Sequence, residues 1–235
     1  MKNLSTILCS GLLAAVTAAG ALSAGADIVR IPVNPTSGAR SGNVLARSED
    51  LDELTLPEMI NSVKLDKKSA ELIRKFQDKE GRNRLHGKEY NAQKNGCTVE
   101  TYRNKEVLLI TIPASKLFAP NETELRREAA SLLAPLKRYL KDPDMYRVLL
   151  VMHTDNTGSE GYRDNLTEER STALFDWFVD QGADTRFLFS YAMGDEMPLV
   201  PNNSMSNREK NRRLEVYLVP GKKMLEMAKK GRIVF

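Results

Sequence analysis

The second half of the chain alternates long apolar runs with short polar interruptions, and the first half lacks this order. EVLLITIPA (106–114) shows no polar alternation through 107–112, which predicts a strand covered on both faces. FAPNETEL (118–125) reads as a helix start. Asn121 is a good N-cap, Glu124 sits at the third helical position, and Leu125, Ala129, Leu132, Leu133 and Leu136 follow on one side toward Leu140. Pro135 within that pattern predicts a kink or a break. DPD (142–144) is a turn and RVLLVMH (147–153) a second buried strand. A helix over about 162–181 ends at Gly182, and RFLFSYAM (186–193) is a short strand. MGDEMPLVPNNS (193–204) is a turn-rich loop, and NRRLEVYLV (211–219) is a last strand with Leu214, Val216 and Leu218 on one face. This order of strands and helices predicts an α+β domain with its helices on one face of a single sheet.

Ahead of that domain, residues 27–94 read as a lead-in. Its first part, 27–64, is rich in Pro, Gly, Ser and Asn. Within it Leu65, Ser69, Leu72, Ile73 and Phe76 recur at helical spacing, which predicts a short amphipathic helix over 65–79 stopped by Gly81. Residues 1–26 carry one lysine, a long apolar run and then small residues, the layout of a secretory signal peptide. An uncleaved anchor is the other reading of the same run. Cys9 follows Leu8 and not the small residue a lipid-attachment site wants, so Cys97 is the one cysteine of the processed chain and an intramolecular disulfide is excluded. The basic tail 221–235, GKKMLEMAKKGRIVF, reads as a solvated terminal helix, with a membrane or partner contact as the competing reading. Net charge is +4, and loss of Lys2 with the leader leaves +3, too mild to argue for nucleic acid. No period of 20–50 residues repeats, and no series of alternating strands suggests a membrane barrel.

The chemistry concentrates in HTDNTGSEGYRDNLTEER (153–170). On a wheel of about 100° per residue, Arg170 falls between Leu166, Ala173, Leu174, Trp177 and Phe178, in the middle of the apolar stripe. A guanidinium there needs a partner, because a buried unpaired charge costs several kcal/mol. Asp155, just past the strand 147–153, is the candidate acid. Two arrangements satisfy this. One is an internal Asp155–Arg170 salt bridge that braces the loop. The other is a site in which the two groups clamp a zwitterion such as an amino acid. A calcium loop fails on spacing, since Glu160 stands where glycine is needed and Leu166 where the bidentate acid belongs. His153 lies near Asp155 and Ser159 in sequence, which does not make a catalytic triad. Neither a phosphate loop nor metal-ligand spacing is found.

TDNTG (154–158) followed by YRDNLTEER (162–170) resembles the signature of the OmpA-like C-terminal domain, the family of peptidoglycan-associated lipoprotein and the MotB stator protein. GDEMPLVPNNSMSNREKNRRLEV (194–216) is similar to its second block, and IPASKLFAPNETEL (112–125) to the strand and turn ahead of both. The resemblance covers about 95–220 and implies a βαβαβ(α)β two-layer sandwich on a mixed sheet. It also implies a periplasmic or outer-membrane-associated protein of the bacterial envelope that binds peptidoglycan without cutting it, with no cofactor and no metal. The implied ligand is the diaminopimelate of the stem peptide, held by Asp155 and Arg170, in a pocket lined by Phe118, Asn121, Thr157 and Leu166. Thr154 and Arg212 or Arg213 would brace it. The alternative is an envelope assembly or structural module, in which the Asp155–Arg170 pair is only an internal brace and the lead-in or the basic tail meets another envelope protein. Four positions depart from the pattern: Arg163 for Asn, Asn207 for Gly, Asp195 for Glu and Ser204 for Thr. Arg163 adds a positive charge expected near the pocket, where it would favour a further ligand carboxylate or weaken binding.

Overall fold

The computed structural model describes residues 54–61, 65–88 and 90–235. The expected signal peptide and most of the stretch 27–64 lie outside the described residues.

Three strands carry the centre of the sheet: β2 (Val107–Pro113), β3 (Tyr146–His153) and β5 (Arg213–Pro220). With β1 (Thr98–Tyr102) and β4 (Leu188–Ala192) they form one mixed sheet in the order β1-β2-β5-β3-β4. Only β3 and β4 run parallel; the other neighbours are antiparallel. The unbroken apolar runs reflect burial of both faces. Leu108, Ile110, Ile112, Val148, Leu150, Met152, Leu214, Val216 and Leu218 face the main core. The alternate residues Val107, Leu109, Leu149, Val151, Tyr217 and Val219 face a second, smaller core. That smaller core is closed by α1 (Leu56–Asn61) through Leu56, Met59 and Ile60, so the end of the lead-in is part of the fold.

The main core is covered by α2 (Lys67–Glu80), α3 (Ala129–Leu133), α4 (Glu160–Asp180) and α6 (Lys222–Lys229). Asp66 caps α2 by accepting from the Ser69 N–H at 2.9 Å. Gly81 does not stop this helix. It keeps a right-handed backbone, and the chain continues as a wide turn over Gly81–Leu85. Its missing side chain matters for packing, since a Cβ there would sit 3.3 Å from Leu108.

Three further expectations are corrected. No helix starts at Asn121. That residue has φ 62°, in the left-handed region, and 118–125 is a loop closed by a Phe118–Leu125 bridge. The helix begins at Ala129 and gives way at Pro135 to a 3-10 segment, Ala134–Leu140. β1 was not expected; it joins β2 through Arg103, Asn104 and Lys105, all at positive φ. The tail is no solvated helix either. Met224 and Ala228 of α6 enter the main core, and the Phe235 ring lies against Tyr139 and Tyr146, 6.0 and 5.4 Å between centroids. No helix among the described residues is long and apolar enough to cross a membrane.

Candidate functional site

The site forms where β3 ends. The Thr154 N–H donates to the Gly194 carbonyl at 2.8 Å, which ties this end to the loop after β4. Asp155 follows and is almost fully buried. One of its oxygens accepts from the Thr157 N–H at 2.8 Å, and the other from Arg212, which stands between α5 (Met205–Asn211) and β5. Burial alone would push this carboxyl up. The bonds from Thr157 and Arg212, with the Arg212 charge, outweigh it and hold Asp155 below the usual carboxylate value. Asp155 is therefore a fixed anion, and two bonds leave capacity on a group able to accept about four.

Ser159 opens α4 by accepting from the Tyr162 N–H at 3.3 Å. The helix buries Leu166, Thr167, Arg170, Ser171, Leu174 and Phe178, whereas Ala173 and Trp177, which the wheel places in the stripe, are half-buried. Arg170 solves its burial without touching Asp155. Its Nε donates to the Glu122 carbonyl at 2.9 Å and its Nη2 to the Ala119 carbonyl at 3.3 Å. Its guanidinium lies 4.9 Å from the centre of the Phe118 ring, a cation–π distance. This also accounts for the missing helix at Asn121. A helix from there would bond the Arg126 N–H to the Glu122 carbonyl, but that carbonyl takes Arg170 and the Arg126 N–H donates to the Leu117 carbonyl at 2.8 Å. The internal Asp155–Arg170 bridge is thus not the arrangement found.

The two charges instead line one cavity of about 520 Å³. Phe118, Asn121, Thr154, Thr157, Leu166 and Arg212 line it with them, so the residues singled out from the sequence converge. Two do not. Arg213 is buried behind the site, where its Nε donates to Glu215 at 2.8 Å, so Arg212 is the residue that braces Asp155. Arg163 does not line the cavity: its Nε donates to Asp195 at 2.7 Å and its Nη1 to the Gly158 carbonyl at 2.7 Å. The lining residues not singled out from the sequence include Arg126, Tyr162, Met205 and Arg208. Tyr162 and Arg208 lie inside the quoted motif blocks, and the Tyr162 hydroxyl donates to Asn121 Oδ1 at 3.1 Å. Nothing local in the sequence marks Arg126 or Met205. Among the described residues no cluster of His, Cys, Asp and Glu could hold a metal ion.

Residues 117–212 match the OmpA family. The outer-membrane lipoprotein YfiB of Pseudomonas aeruginosa is 31% identical over 104 residues, 44% of this chain and 61% of that protein. The peptidoglycan-binding protein ArfA of Mycobacterium tuberculosis is 34% identical over 70 residues, 30% of this chain and 22% of its own length. The chain therefore spans about three fifths of one curated relative and about a fifth of the other. Among solved structures, a putative MotB-like protein from Desulfovibrio vulgaris superposes with a TM-score of 0.54 over 65% of this chain and 98% of that one, at 24% identity, a likeness of fold.

Proposed function

We propose that this protein, whose residues 117–212 match the OmpA family, works in the bacterial cell envelope, where it binds peptidoglycan non-covalently and without catalysis. The ligand group is the diaminopimelate side chain of the stem peptide, with its ammonium and its carboxylate. Asp155 accepts from the ammonium, and Arg170 pairs with the carboxylate. The observation that carries this reading is a buried, ionised Asp155 and a buried Arg170 that line the same cavity without neutralising each other. Opposite charges held apart by separate partners are prepared for a ligand that bears both signs. The supporting groups fit the role. Thr157 and Arg212 fix the carboxylate, and the Ala119 and Glu122 carbonyls with the Phe118 ring fix the guanidinium. The apolar Leu166 and the Phe118 ring suit the methylene chain between the two ligand charges. The name of ArfA points to the same polymer.

Co-sedimentation with purified peptidoglycan tests this. Wild type should pellet with the polymer, and Asp155→Ala and Arg170→Ala should stay in the supernatant while melting cooperatively. Equal pelleting of all three proteins, or none of wild type, would sink the reading.

A further inference from the structure

The cavity carries more positive charge than a zwitterion requires. Four arginines line it, Arg126, Arg170, Arg208 and Arg212, against the single carboxylate of Asp155. Arg212 is matched by Asp155. On the reading above, on which this inference rests, Arg170 takes the carboxylate of the ligand side chain. Arg126 and Arg208 remain. Arg208 donates to the Asn202 carbonyl at 3.3 Å and lies 3.5 Å from the Met205 sulfur, both uncharged partners. Arg126 is exposed, and among the described residues its side chain has no bonded partner. Arg163, the sequence candidate for extra charge, is taken by Asp195 and supplies none here.

We infer that the pocket selects a stem peptide of net negative charge. The side-chain zwitterion of the diamino acid sits at Asp155 and Arg170, and a second carboxylate of the same ligand is met by Arg126 and Arg208. A carboxamide in its place offers the two guanidinium groups no charge. Both arginines reach solvent, so salt weakens their contribution, while the buried clamp is screened far less. The exposed Met205 beside Arg208, 71% accessible, gives this part of the rim an apolar surface for the peptide backbone.

Calorimetric titration with two synthetic stem tripeptides ending in diaminopimelate tests this. One keeps all its carboxylates; in the other, every carboxylate except that of the diaminopimelate side chain is amidated. Wild type should bind the free acid about tenfold tighter, as expected for one exposed charge-assisted contact. The preference should shrink as salt is raised. The double variant Arg126→Gln, Arg208→Gln should lose it, and Arg126→Lys, Arg208→Lys should keep most of it. Equal affinity of wild type for both peptides, or a preference that survives the glutamine variant, overturns this inference and leaves the peptidoglycan reading standing. Failure to bind either peptide overturns both.

Discussion

Arg170 illustrates how a charge is buried without a counter-charge in contact. Two carbonyls take two of its five N–H donors and an aromatic face meets its delocalised cation, which leaves the remaining donors and the charge to the cavity. Arg163 is the opposite case. It departs from the OmpA-like pattern, and so does Asp195, and the two pair with each other at 2.7 Å. One departure therefore compensates the other, and the substitution ties α4 to the loop after β4 without entering the pocket. Arg163, expected near the pocket, does not line it, because Asp195 and the Gly158 carbonyl hold its guanidinium. Arg163→Asn should lower stability by about 1 kcal/mol, the scale of a partly exposed ion pair. It should leave affinity for a stem peptide within twofold. Urea unfolding and calorimetry on one preparation check both halves.

At the scale of the element, β5 carries the least expected feature. Arg213, Glu215 and Tyr217 alternate along it toward the smaller core. Glu215 accepts from Arg213 at 2.8 Å and from Tyr217 at 2.7 Å, and lies 3.4 Å from His153. Burial would raise its carboxyl, but His153, then Arg213 and Tyr217, hold it well below the usual range. A depressed folded value means stability that is complete above about pH 5 and is lost as pH falls through it. Glu215→Gln should cost about 3 kcal/mol at neutral pH, because Arg213 loses its buried counter-charge. The variant should also lose less on acidification than wild type, as urea unfolding at neutral and at acid pH would report. The central strands and α4 were legible because burial on both faces, or on one stripe, leaves an apolar record. β1 was not, because all five of its positions face or partly face solvent beside a left-handed turn. The helix at Asn121 was misread because cap residues fit a loop as well as a helix, and the side chain that claims its carbonyls comes from 48 residues away.

For the whole molecule, the site depends on the sheet order. β5 lies between β2 and β3, which brings Phe118, Asp155 and Arg212 to one end of three adjacent strands, while α4 crosses over to place Arg170 among them. Asp155 and Arg170 were readable in the sequence, since a motif acid after a strand and an arginine inside an apolar stripe both stand out. Arg126 and Met205 were not, because only the folded chain brings them to the rim. On their polarity the end of the lead-in reads as extended and the tail as a solvated helix, yet each lays an apolar face on one of the two cores. The central claim is that the cavity recognises both charges of one side chain. Titration with two stem tripeptides that differ only in their last residue, diaminopimelate or lysine, addresses it most directly, because lysine keeps the ammonium and lacks the carboxylate. The account predicts binding of the diaminopimelate peptide and affinity at least about tenfold weaker for the lysine peptide, the loss of one charge-assisted pair. Equal affinities, or no binding of the diaminopimelate peptide, would contradict it.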